Sequence, residues 1–204
     1  ADFFLVFGRQ GSGYAFALIP KDAPGLEIVG YKTYDGFVSG DLKLNKCKAE
    51  AVFSSTNALE ILDETIQEAI VCICSEAIGA MEKCYKLTIE YTQQREQFGQ
   101  SLSKFQALQH RMVDMFMEYE QSKSLLYMST MKHAEKSMDA KKSISGLKYQ
   151  IGKAGKFIGQ QAIQIHGGMG VTDELNIGHF FKRLTTIGTI FGNSDFHLKR
   201  YSEL

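Results

Sequence analysis

Residues 141–170 read KKSISGLKYQIGKAGKFIGQQAIQIHGGMG, and the spacing of their apolar positions decides the fold. Ile144, Leu147, Ile151, Ala154, Ile158, Ala162 and Ile165 recur every three or four residues, the period of one face of a helix. The pattern stops at Gly167 and Gly168, where glycine suits a left-handed C-terminal cap. Ser137 to Ala140 forms a polar join ahead of it.

The same period extends upstream. Leu59, Leu62, Ile66, Ile70, Ile73, Ala77, Met81 and Cys84 trace a long amphipathic helix ending near Tyr91. The segment QREQFGQSL interrupts it, and Ser101 or Ser103 then offers an N-cap for a second helix. That helix carries Phe105, Leu108, Met112, Met115 and Tyr119 on one stripe and runs to about His133. Downstream of the glycines, a fourth helical pattern starts near Ile177 and is interrupted around Gly188 and Gly192. Four helices with short connections predict an antiparallel bundle.

Ahead of Phe53 the period changes. The runs FFLVFG, YAFALIP, LEIVGYKTY and FVSGDLKL are rich in β-branched and aromatic residues and are cut by RQGSG, KDAPG and DG. Both prolines, Pro20 and Pro24, fall here. The expected fold is α+β by content: the end of an antiparallel β-domain over residues 1–55, then a four-helix domain over 56–204. Ala1 leads directly into an apolar strand, so the sequence is expected to begin inside a fold.

Composition narrows the function. Lys and Arg total 23 and Asp and Glu total 23, so no net field draws the chain to nucleic acid or to an anionic membrane. No apolar run approaches the roughly 20 residues that cross a bilayer, and the start lacks a secretory signal. A soluble, cytoplasmic protein is expected. Cys72, Cys74 and Cys84 lie in an apolar helical stretch with no CxxC pair and read as free buried thiols. The five histidines are dispersed, which argues against a metal site.

Two segments place glycine and polar residues where a bundle prefers helix formers. The first is Arg95-Glu96-Gln97-Phe98-Gly99, followed by Phe105 and Gln106. Arg95 offers a planar fork for phosphate oxygens and Phe98 a face for a purine ring; the plainer reading is a surface arginine paired with Glu90 or Glu96. The second is Gln164-Ile165-His166-Gly167-Gly168-Met169-Gly170. Its glycines bare backbone N–H groups at a helix end, although a turn between helices needs no ligand to explain them.

Taken in order, these segments resemble the acyl-CoA dehydrogenases. In that family an R-x-Q-F-G-like loop opens the second helix of the C-terminal domain, here YTQQREQFGQSLSKFQALQHRMVDM, and a Q-x-x-G-G-x-G turn closes the third, here AIQIHGGMG. The resemblance implies FAD as cofactor, with Arg95 on the pyrophosphate, Phe98 against adenine, Gln106 as a polar contact, and Gln164, Gly167 and Gly168 at the adenosine end. It also implies an acyl-CoA substrate and a homo- or hetero-oligomer in which these residues serve the cofactor of a neighbouring subunit. An N-terminal helical domain and the first half of the β-domain are expected to precede this sequence.

One departure bears on chemistry. The family removes a proton beside a thioester with a carboxylate base while hydride passes to the flavin. Where many members carry the Glu of a Y-E-G-T run, this sequence has Phe191, within Ile190-Phe191-Gly192-Asn193. Lys182 and Arg183 replace the arginine–aspartate pair that usually precedes the run. Other members place a Glu on the first helix, where Ala69 stands here with Glu68 beside it. Asp195, Glu76 and Asp173 are further acids considered. The pattern DELNIGHFFKRLTTIGTIFGNSDFHLKRY resembles small subunits of bacterial acyl-CoA dehydrogenases built from two unlike chains, one lacking the base. The alternatives are a homo-oligomeric enzyme with its base elsewhere and a scaffold of the same fold without flavin.

Overall fold

The computed structural model describes residues 1–204. Two compact units emerge, Ala1–Ile66 and Gln67–Leu204.

In the first unit, β1 (Phe3–Gln10), β2 (Gly13–Pro20) and β5 (Ala51–Ser54) form an antiparallel sheet in the order β1-β2-β5. Gln10 pairs with Gly13 across a two-residue turn, so RQGSG is a tight hairpin. A separate ribbon pairs β3 (Leu26–Lys32) with β4 (Val38–Leu44), Val29 facing Asp41. Ala15, Ile19 and Ala23 are buried, whereas Ile28, Val29, Tyr31 and Val38 are exposed.

The helices are α1 (Ala58–Gln94), α2 (Gln106–Ala134), α3 (Ala140–His166), α4 (Ile177–Ile187) and α5 (Ser194–Glu203). The stripe that opened the sequence reading is the centre of the second unit: all seven of its residues on α3 are buried. Each of the Ile and Leu side chains among them contributes on the order of 1.5–3 kcal/mol by leaving water. α3 packs against α2, α4 and α5. The approach of the last two depends on missing side chains, because a Cβ at Gly159 would lie 2.8 Å from Phe181 Cδ2, and one at Gly152 2.3 Å from Ser194 Oγ.

Four expectations need correction. The fourth helix is two helices, α4 and α5, separated by residues 188–193. Neither Ser101 nor Ser103 caps α2: a 3₁₀ turn at Leu102–Lys104 intervenes, the N-cap is Phe105, and the two serine hydroxyls bond each other at 2.9 Å. Gly167 does end α3, but at φ 59°, ψ −137° it occupies the mirror image of the extended region rather than the left-handed helical one. Cys74 and Cys84 are buried while Cys72 is exposed, since two residues along a helix turn the side chain about 200°.

Candidate functional site

The ends of α1 and α3 meet through one aromatic contact. Tyr91, in the last turn of α1, stacks on His166, the last residue of α3, with ring centroids 4.3 Å apart and planes at 27°. Tyr91 Oη also donates to the His166 carbonyl at 3.4 Å. His166 is buried, and its Nδ1–H donates to the Ala162 carbonyl at 2.8 Å. Burial pushes its pKa below the usual 6.5, with the Ala162 carbonyl acting the other way. The two segments singled out in the sequence therefore begin within a turn of one contact.

Beyond Tyr91, Arg95 donates its backbone N–H to the Tyr91 carbonyl and accepts from Leu102 N–H at 2.8 Å. Between them lies a hairpin of β6 (Glu96–Gln97) and β7 (Gln100–Ser101), closed by Phe98 and Gly99. Both turn residues have positive φ, 55° and 78°, as a type I′ turn requires. Asn-Gly is the ordinary choice there, and an aromatic residue at φ 55° is strained. Phe98 is nonetheless 90% exposed, its ring meeting Phe105 edge-on at 6.2 Å. A strained, uncovered aromatic ring invites a functional explanation. Arg95 is exposed and pairs with neither Glu90 nor Glu96. Gln106 is the exposed first residue of α2, directly after Phe105.

On the α3 side, Gln164, Gly167 and Gly168 are exposed. A Cβ added at Gly167 or Gly168 would meet nothing within 4 Å, so both have open space in front of their backbone. Gly170 is different: a Cβ there would lie 2.7 Å from the Ile163 carbonyl, so its glycine serves internal packing. Arg95, Phe98 and Gln106 thus lie on the chain that follows Tyr91, and Gln164, Gly167 and Gly168 lie on either side of His166. Sequence reading assigned no part to Tyr91 or His166; His166 stood inside a quoted motif, and only its neighbours were weighed.

Phe191 lies elsewhere, in the 188–193 turn between α4 and α5. It has φ 59° and is followed by Gly192 at φ 107°. Its carbonyl accepts from His197 Nε2 at 3.0 Å, and the Gly192 carbonyl from Lys148 Nζ at 3.0 Å. Lys148 also donates to the carbonyls of Ile187 at 2.9 Å and Gly188 at 3.4 Å, closing the C-terminus of α4. Lys148 and His197 are both fully buried. Burial lowers the pKa of each below its usual value; the neighbouring Cys74 opposes this at Lys148, and the Phe191 carbonyl does so at His197. From Lys148 to His166 is 18 residues of α3, or ~27 Å at 1.5 Å per residue. Within one chain, Phe191 and the Arg95–Gly168 group therefore sit far apart.

The candidate acids are mostly engaged. Glu76 on α1 holds Arg183 on α4 through two bonds, Nε to Oε1 at 2.5 Å and Nη2 to Oε2 at 2.8 Å. The arginine at a position where the family has aspartate thus has its own partner. Asp173 lies 3.7 Å from Lys182 and is 88% exposed. Glu68 is exposed, 3.9 Å from His133 Nε2 of α2. Asp195, in the first turn of α5, borders a cavity of about 450 Å³ with Lys156, Gln160 and Asn193; acids are favoured at such helix starts irrespective of catalysis. Asn193 caps the same helix, accepting from Phe196 N–H at 2.9 Å.

The chain matches the family model described as acyl-CoA dehydrogenase, C-terminal domain, over residues 59–203. It is 26% identical over 178 residues to acyl-CoA dehydrogenase IpdE2 of Mycolicibacterium smegmatis, covering 87% of this chain and 55% of the relative. It is 27% identical over 188 residues to the mitochondrial short-chain specific acyl-CoA dehydrogenase of Rattus norvegicus, covering 88% and 45%. A solved Tcur3481-Tcur3483 steroid ACAD variant superposes with a TM-score of 0.89 at 26% identity, over 100% of this chain and 55% of the other. The chain spans about half the length of these relatives.

Proposed function

From the premise that the chain belongs to the acyl-CoA dehydrogenase family, we propose that it supplies part of the FAD site of an acyl-CoA dehydrogenase assembled from like-folded subunits, itself lacking the usual glutamate base. The observation that carries this reading is the Tyr91–His166 contact, from which the chain leads on to the Arg95–Phe98 turn on one side and to Gly167–Gly168 on the other.

The residues present fit the cofactor. Arg95 presents an unengaged guanidinium suited to a pyrophosphate. Phe98 presents a bare ring suited to adenine, a contact worth about 1–3 kcal/mol by analogy with base stacking elsewhere. Gly167 and Gly168 leave open space into which a ligand can approach the backbone. Gln106 and Gln164 add amide groups. When bound, FAD supplies the acceptor for the hydride that leaves the acyl chain.

Desaturating an acyl thioester also requires a base for the proton on the carbon beside the thioester. Phe191 offers none, Glu76 is held by Arg183, and Asp173 faces Lys182. On this reading the base comes from a partner chain, in a hetero-oligomer whose substrate is an acyl-CoA. Two observations support shared sites: the ~27 Å of α3 between the cofactor residues and the Phe191 turn, and the similarity to a Tcur3481-Tcur3483 steroid ACAD, whose name joins two designations. No helix is long and apolar enough to cross a membrane.

The test is co-expression of the full-length protein with the product of the adjacent gene. Released flavin is read by absorbance after denaturation, and acyl-CoA-dependent bleaching before it. Bound FAD that bleaches with acyl-CoA, and that Arg95→Ala lowers at least tenfold, is the expected result. A colourless assembly would sink the reading.

A further inference from the structure

His166 is 4% exposed, yet only one of its ring nitrogens has a protein partner. That partner, the Ala162 carbonyl at 2.8 Å, is an acceptor, so Nδ1 carries the proton of the neutral ring and Nε2 is a bare lone pair. Tyr91 covers one face of the ring at 4.3 Å. The 3₁₀ turn of Gly167–Val171 folds back beside it, since a Cβ at Gly170 would lie 3.1 Å from His166 Cβ. No charged side chain acts on the ring: burial lowers its pKa from 6.5 and the Ala162 carbonyl opposes this, while the titratable group stacked on it is Tyr91.

A second proton can go only to Nε2, where it meets no acceptor and no carboxylate. A charge left unpaired in the interior is costly. The imidazolium is therefore at ease only when the ring swings out to water, which breaks the Ala162 bond and the Tyr91 stack together. Tyr91 opens the last turn of α1, and its neighbour Thr92 bonds Met112 Sδ at 3.4 Å. Thr92 thus ties the end of α1 to α2, and Tyr91 ties it to α3. The hairpin beyond has strands of two residues each, too short to hold themselves, and Phe98 at φ 55° adds strain. Its place relative to α3 depends on the tie through Tyr91.

We propose that His166 is a positioning residue, the pin of an acid-sensitive joint: neutral, it ties the end of α1 and the Arg95 hairpin to the end of α3, and protonated, it swings out and lets the two ends part. The fold itself carries this device. It rests on the function proposed above in one respect: a ligand such as FAD, held by residues from both ends, leaves when the joint opens. The closed ring has its pKa below 6.5, and a freed ring has the ordinary value. The joint is therefore fully closed above about pH 6.5 and is lost as pH falls towards the closed-state value, with opening growing by up to about tenfold per pH unit in that window.

The test is amide hydrogen exchange of the assembled full-length protein at pH 7.5 and 5.5, corrected for the intrinsic pH dependence of exchange, in wild type and His166→Gln. In wild type, segments 91–102 and 164–171 are expected to exchange about three- to tenfold faster at pH 5.5. In His166→Gln, whose amide can donate to Ala162 but does not titrate, the two segments should show no such change. Segment 187–197, which holds the other buried histidine, should respond to pH alike in both proteins. Flavin retained after gel filtration should fall at pH 5.5 in wild type and hold in the variant. A wild-type change below twofold in either segment overturns the proposal, as does the same pH response in His166→Gln. Exchange as expected with flavin retention unmoved overturns the positioning role. If His166→Gln does not assemble, NMR of the histidine-labelled wild type replaces it: the ring in contact with Tyr91 should titrate below pH 6.5 at the midpoint of the exchange change, and a midpoint at or above 6.5 overturns the joint. A wild-type assembly without flavin at either pH defeats the function proposed above, while the exchange comparison still decides whether His166 pins the two helix ends.

Discussion

Tyr91 and His166 stack at 4.3 Å between ring centroids, and the tyrosine hydroxyl donates to the histidine carbonyl at 3.4 Å. One residue opens the last turn of α1 before the Arg95 hairpin and the other immediately precedes Gly167. Their contact ties two segments that are 75 residues apart in sequence.

Truncations should separate the two parts of that contact. Tyr91→Phe removes the hydroxyl bond alone and is expected to cost about 0.5–1.5 kcal/mol with bound flavin unchanged. Tyr91→Ala also removes the ring pair, a further ~0.5–1.5 kcal/mol beyond area effects, and should lower flavin content. Urea unfolding and the absorbance of released flavin measure both, and equal flavin loss in the two variants would contradict this division.

Phe98 should show stability opposed to function. At φ 55° in a type I′ turn and 90% exposed, it gains little from packing. Phe98→Asn is expected to raise stability by about 1 kcal/mol, seen as a higher thermal midpoint. The same change should weaken FAD at least about fivefold through lost stacking. An unaltered flavin affinity would remove Phe98 from the site.

The Glu76–Arg183 pair should prove structural. With Glu76 46% exposed and Arg183 21% exposed, solvent screening limits its coupling to about 1 kcal/mol despite two bonds. A double-mutant cycle measures that coupling, and the swap Glu76→Arg with Arg183→Glu should recover part of it. Glu76→Gln should leave turnover within twofold; a hundredfold loss would return Glu76 to the candidate bases.

Two buried histidines set an acid limit. Burial depresses the folded pKa of His166 and His197 below 6.5, so between the folded and unfolded values the unfolded chain binds more protons. Their contribution is therefore complete above about pH 6.5 and is lost as pH falls through the folded values. Thermal midpoints recorded from pH 7.5 down to 5 should fall below pH 6.5. His197→Gln, with Lys148 intact, should flatten that slope; an identical slope would place the titration elsewhere.

Much of this molecule could be read along the chain because its signals are local. The α3 stripe from Ile144 to Ile165, the break at Gly99 and the end at Gly167 follow from helical period and from glycine, and all appear in the structure. The α1 stripe was less reliable: Leu59 lies on the predicted apolar face yet is 51% exposed. Periodicity reports which residues share a face, not what covers it. The serine caps failed for a related reason, since the 3₁₀ turn at Leu102–Lys104 moves the start of α2 past both hydroxyls.

By itself the sequence determined the first three helices, the β-rich opening and the absence of a carboxylate at position 191, each a property of residue type and short-range spacing. Only the tertiary structure decided that Tyr91 joins the Arg95 hairpin to the Gly167 turn, that Arg183 answers Glu76, and that Lys148 grips Gly192. Those pairings link residues 75, 107 and 44 positions apart. No local preference encodes such partners: a long-range contact forms only after helix packing has met the entropy of closing the chain between them.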